Sequence, residues 1–469
     1  MCRPPRHGAA NGIHATPGVL SRPQSVLQPR PAYARIRVVG ALDGAGGYSR
    51  TPRIATVRST PGGTREEIRM STVAWLDTSA DEQRRVRDLI ALFEEKESRD
   101  ELGVGQIRDV LSDALFPGTS VLHTRARYFL LVPWAYQYAA SRRVGRELNA
   151  RAQLIERQLV ELLRKGNDDG VIGRVVGHSV KTLPSSMFWS GLRRFGILAQ
   201  DKSPDQLTGV FARLGDGVDE LVDRQIGEWH PTIPRWPEGF PSALEGGLNL
   251  RHEEAEWLRD RIVDACQGSL LAHLVAADRP PSASSAPWED PACLAAPEIE
   301  LQMLRVAEGF SLIMNGAALL YNVLVAERYE AAGFTRVTAP SQEHRDGYEE
   351  WLDKLESNDL LLHDWDPEAL WALVDDSGSR VTSRTRMFVS AWTSAVRDGA
   401  APDALTDPAH NLRAVIANRE QSIKRRQSRL TNARLLASWG GASGTRQLTY
   451  RWAQVRRVVA DIHEGLNRA

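Results

Sequence analysis

Cysteine is scarce in this chain, with Cys2, Cys266 and Cys293 the only three among 469 residues. A scattered, odd set excludes a disulfide framework, and none has the spacing of a Cys-x-x-Cys zinc motif. A reducing, cytoplasmic setting fits that usage best. Long hydrophobic runs are lacking too. No apolar stretch reaches the roughly 18 residues that a spanning helix needs. The nearest, residues 310–326, is interrupted by Asn315, Gly316 and Asn322. It reads as a buried helix, and no membrane partner is expected. Few runs carry the alternation or β-branched density of strands. The expected fold is mostly α and multi-helical.

The usual catalytic signatures are also missing. There is no Gly-Lys-Ser/Thr phosphate loop, no Gly-x-Ser-x-Gly elbow, no His-Glu-x-x-His and no dinucleotide-binding glycine fingerprint. His363-Asp364 stands without further metal ligands and reads as part of a helix cap near Asp366-Pro367. No cofactor and no metal are expected, and no catalytic residue can be named.

What is present is charge, and it is unevenly placed. Lys plus Arg and Asp plus Glu both number 59, so the formal charge is zero. By segment, residues 1–69 carry about +8, 70–121 about −5, 122–200 about +8, 201–410 about −20 and 411–469 about +9. Two basic blocks thus flank an acidic middle. Thirteen tryptophans point to a core rich in indoles.

In chain order, residues 1–69 are rich in Arg, Pro, Gly and Ala and show no apolar period. They read as a disordered leader or a mis-called start, with Met70 opening the folded part. Residues 70–200 form an N-terminal helical domain. It contains helices near 77–93 and 107–115, an apolar helix leaving Thr124 that Pro133 should kink or end, and a long amphipathic helix over 142–165. Within 171–200, a short helix, a turn at Leu183-Pro-Ser-Ser186 and a second helix outline a helix-turn-helix-like unit, with Arg193 and Arg194 on its exposed face. A middle helical segment with a Pro-rich connector covers 201–278, and a linker covers 279–297. A second helical domain covers 298–400. A basic helical segment, 401–469, opens with a helix over 412–436.

Besides Arg193 and Arg194 on that exposed face, which could contact phosphate, three groups could bind an anion. His123, Arg125 and Arg127 cluster at the start of the apolar helix, where guanidinium forks and free N–H groups favour phosphate. The competing reading is an internal ion-pair network with Asp109 or Asp113. The tail places Lys424, Arg425, Arg426, Arg429 and Arg434 at helical spacing, followed by Arg446 and Arg451. There, about twelve cations oppose only Glu420, Asp461 and Glu464. The alternative is that this tail docks on the acidic middle. The third group is the loop at residues 440–445, whose backbone N–H groups could cradle an anion.

Several stretches together resemble one bacterial family: Trp75-Leu-Asp, Asp100-Glu-Leu-Gly, Leu115-Phe-Pro-Gly-Thr-Ser, Thr124-Arg-Ala-Arg-Tyr-Phe, Val132-Pro-Trp, Pro184-Ser-Ser, Trp439-Gly-Gly-Ala-Ser-Gly and Tyr450-Arg-Trp. The chain is similar over roughly residues 72–465 to the domain-of-unknown-function family DUF6361. The resemblance brings no activity, substrate or catalytic residues. It implies a setting near helicases and defence-type modules, which supports a nucleic-acid role by association only.

The leading expectation is a non-enzymatic protein whose basic helices contact the phosphates of nucleic acid, or a nucleic-acid-acting partner. An enzyme built around His123, Arg125 and Arg127 is the second reading, and a protein–protein scaffold the third.

Overall fold

The computed structural model describes residues 100–142, 147–166, 168–209 and 227–468. The leader, Met70, the helix expected near 77–93 and most of the helix expected over 201–228 lie outside these. Contacts divide the chain into Met1–Trp75, outside the described residues, and Leu76–Ala469, to which everything below belongs.

Among the described residues there are sixteen α-helices and no strand. The first four are α1 (Gly105–Leu115), α2 (Tyr128–Ser141), α3 (Leu148–Lys165) and α4 (Pro184–Arg194). Next come α5 (His252–Ala265), α6 (Leu270–Ala276), α7 (Pro291–Leu294) and α8 (Glu298–Ala331). They are followed by α9 (Pro340–Ser357), α10 (Asp359–Asp364), α11 (Pro367–Asp376) and α12 (Ser383–Arg397). The chain closes with α13 (Asp403–Thr406), α14 (Asn411–Lys424), α15 (Ala433–Ala437) and α16 (Trp452–Leu466).

Helix α8 organises the second half. It is apolar nearly all round, the pattern of a helix surrounded by others, and α9, α14, α1 and α12 pack against it. It is long and apolar enough to cross a bilayer, but 83% of its most apolar window is buried inside the protein. Its glycines let indoles reach the backbone. A Cβ at Gly309 would overlap the Trp365 ring, and one at Gly316 the Trp351 ring. Trp365 donates to the Val306 carbonyl, Trp351 to Leu312 and Trp392 to Ile313, each at 2.9 Å. The polar residues that interrupt the apolar run also have partners. Ser311, Asn315 and Asn322 bond the backbone of Leu448, Thr445 and Ser443, so they fasten the glycine loop and the chain after it.

Helix α2 is the buried helix of the first half, packed on α3 and α4. It starts at Tyr128, later than Thr124, and runs on past Pro133 to Ser141. Two expected helices differ more. Residues 171–176 form turns, followed by a 3-10 turn at Gly177–Ser179. The helix-turn-helix-like outline is therefore a single helix, α4, behind a turn. The expected helix over 412–436 is interrupted after Lys424, where Arg425 takes φ 51°. Helix α16 returns the tail to α5 and α6.

Candidate anion-binding surfaces

His123, Arg125 and Arg127 precede α2, and all three are buried. Arg125 Nε lies 2.9 Å from Asp461 of α16, and its other nitrogens donate to Asn249 Oδ1 (2.9 Å) and the Asp169 carbonyl (3.1 Å). Asp461 also accepts the Ala126 N–H at 2.8 Å. Burial pushes the Asp461 carboxyl above its ordinary range, outweighing the pull of Arg125, Ala126 and Arg457. Arg127 is fully enclosed. It pairs with Glu254 of α5 at 2.9 Å and donates to the carbonyls of Glu245 and Gly247 at 2.7 and 2.6 Å. The His123 ring stacks on Phe188 with centroids 4.2 Å apart, and its Nε2 bonds the Met187 carbonyl at 3.1 Å. Burial lowers its pKa to about 4, so the ring is neutral at pH 7.

These three therefore do not face an outside anion, which corrects the open-pocket expectation. The internal network holds instead, with different acids from those expected. Asp461 and Glu254 are the partners, while Asp109 pairs with Arg108 and Asp113 with Arg451. The physical reason is that α2 is too deeply packed to leave a guanidinium unpaired.

On α4, Arg193 pairs with Asp201, and Arg194 donates to the Ala265 carbonyl at 2.8 Å while remaining exposed. The buried face of α4 is Phe188, Trp189 and Leu192.

The tail divides its cations. Lys424 and Arg429 both reach Glu101, at 3.1 and 2.5 Å. Burial would raise the Glu101 carboxyl, but Arg429 and Lys424 outweigh it and hold the pKa below the usual range. Glu420, fully buried, accepts from the Arg429 N–H (2.6 Å), Tyr321 Oη (3.2 Å) and Ser428 Oγ. Arg451, in a left-handed conformation at φ 67°, bonds Asp113 and the Thr119 carbonyl, each at 2.7 Å. The tail thus docks on acids of residues 100–121 through Lys424, Arg429 and Arg451, and on the acidic middle through Arg413, which pairs with Glu327 of α8. Arg446 lines a cleft of about 80 Å³ with Asp100, Glu101, Asn315, Tyr321 and Gly444, well below the roughly 300 Å³ at which drug-sized ligand pockets begin.

Arg425, Arg426 and Arg434 remain. All three are exposed, and none pairs with a carboxylate among the described residues. One side chain ties the backbones of Arg426 and Arg434 together. Asn432 Nδ2 donates to the Arg426 carbonyl at 3.0 Å, and Asn432 Oδ1 accepts the Arg434 N–H at 3.1 Å. The turn is braced on both sides by the Glu101 pairs of Lys424 and Arg429. Helical spacing missed this arrangement, because it treats the five basic residues as one continuous face. The available signal was Asn432, a residue suited to capping a new helix start.

The glycine loop offers its backbone inward: Ser443 N–H donates to Asn322 Oδ1 at 2.8 Å, and the Gly441 carbonyl accepts from His344 at 2.6 Å. The thiols of Cys266 and Cys293 are buried, and burial raises both pKa values, that of Cys266 to about 11. Among the described residues, no group of three or more His, Cys, Asp or Glu is placed to hold a metal ion.

Fold and site together define an all-helical protein with buried arginine–carboxylate ties and a small exposed cationic turn. Residues 70–465 match the family of unknown function DUF6361, and the chain belongs to that family. No curated protein and no solved structure matches it.

Proposed function

We propose that this chain is a binding protein that contacts nucleic acid through the phosphate backbone, using the turn that carries Arg425, Arg426 and Arg434. The observation carrying this reading is the Asn432 brace, which ties the backbones of Arg426 and Arg434 together on a short stretch that also carries Arg425. Preorganised forks of this kind suit phosphate oxygens, and such pairing confers affinity without sequence choice. Cations already spent on Asp461, Glu254, Glu101 and Asp113 take no part.

The test is a salt series of gel shifts with double- and single-stranded DNA. Binding should weaken steeply with salt. The combined variant R425A/R426A/R434A should lower the salt slope by about one for each phosphate it no longer neutralises, equally on every sequence. If the wild-type chain binds neither probe at low salt, or the variant binds as the wild type does, the reading fails.

A further inference from the structure

Two other exposed surfaces combine apolar side chains with charge, and their charges are opposite. The first is the loop after α3. Val175 is 94% and Val176 55% exposed, an unusual expense of apolar surface unless something covers it. This loop is stiff. Arg157 donates to the Val180 carbonyl at 2.6 Å, Glu161 accepts the His178 N–H at 2.7 Å, and a Cβ on Gly177 would overlap Arg164 and Glu161. The cations flanking it, Arg164, Lys165 and Lys181, are exposed, Arg164 with Glu161 3.4 Å away.

The second surface is the junction of α9 and α10. Leu360 is 79% exposed there. Glu349, Glu350, Asp353, Glu356 and Asp359 are exposed with it, and none of them forms an ion pair among the described residues. Lys354 and His363 are the basic residues on that stretch. Both surfaces stay open on the same polypeptide, so neither covers the other within one chain.

We infer that they meet between two copies: the Val175–Val176 loop of one chain seats on the Leu360 face of the next. The apolar tips bury each other, and Lys165 and Lys181 stand against unpaired carboxylates. Because different patches meet, the contact is head-to-tail and can propagate. Arg425, Arg426 and Arg434 have no role in it, so it stands or falls apart from nucleic-acid binding.

Sedimentation velocity of the full chain over a wide concentration range should reveal association that weakens as salt is raised. The loop variant V175D/V176D and the face variant L360K should each be monomeric alone. Mixed together they should form a one-to-one dimer that grows no further, because one intact loop and one intact face remain. That rescue also shows that both variants are folded. A wild-type chain that stays monomeric at low salt, a variant that associates as well as the wild type, or a mixture without dimer overturns the inference. So does a monomeric chain whose loop is needed for pelleting with anionic lipid vesicles, which would assign the loop to a bilayer.

Discussion

At the scale of single residues, the main fact is that the buried arginines ahead of α2 are each tied to a carboxylate, Arg125 to Asp461 and Arg127 to Glu254. Asp461 and Glu420 are two of the three acidic side chains in the strongly basic residues 411–469, and both turn inward. Replacing Asp461 by Asn keeps its shape but leaves Arg125 buried without a counter-charge. Breaking a buried pair from one side costs about 3–5 kcal/mol, so urea unfolding of D461N should show a stability lower by that much. A second residue-scale effect concerns His123. Its native pKa of about 4 lies below the unfolded value near 6.5, so between those pH values the unfolded chain binds the extra proton. Stability therefore falls as pH drops through that window. Between pH 7 and 5 the loss from this one ring is about 2 kcal/mol. In H123F, which keeps the stack on Phe188 and cannot protonate, the difference in unfolding free energy between the two pH values should shrink by that amount.

At the scale of elements, glycines that look alike in sequence carry different loads. Gly316 of α8 lies under the Trp351 ring, whereas a Cβ at Gly347 of α9 would touch only Leu319, at 3.9 Å. Overpacking costs about 1–3 kcal/mol, and glycine within a helix costs roughly 0.5–1 kcal/mol relative to alanine. Thermal melts should therefore separate the two: G316A lowers the midpoint and G347A raises it slightly. The helices themselves were largely legible. Apolar periodicity locates α1, the apolar run over 310–326 marks α8, and Asp366 caps α11 as its place before Pro367 suggests, accepting the Glu368 N–H at 2.9 Å. The break after Lys424 was not legible. The basic residues continue at helical spacing, but the buried Glu420 carboxylate draws in the N–H of Arg429 and the hydroxyl of Ser428. A distant tertiary demand of that kind overrides local propensity. The same holds for residues 171–176, where Tyr128 Oη takes the Ile172 N–H at 3.0 Å.

At the scale of the whole molecule, the segment charges were readable in the sequence, but their pairing was not, because pairing depends on which blocks fold together. The basic tail spends Lys424, Arg429 and Arg451 on Glu101 and Asp113, while the acidic α9–α10 junction stays uncovered. This determines how the tail can be tested. A chain ending before Asn411 would remove Asp461 from Arg125, Trp439 and Trp452 from the core, and α16 from α5 and α6. It would also leave Asn322 of α8 facing no loop. Several buried groups would be left without partners at once, each costing about 1–3 kcal/mol, against a total stability of about 5–15 kcal/mol. The truncated chain should therefore fail to unfold cooperatively in a thermal melt. R425A/R426A/R434A should instead melt within about 1 kcal/mol of the wild type, since surface substitutions away from such ties change little. Absence of DNA binding on truncation would then report unfolding, whereas its absence in the triple variant would report the phosphate-binding turn itself. A truncated chain that melts like the full one would mean that the arginine–carboxylate ties do not hold the two halves together.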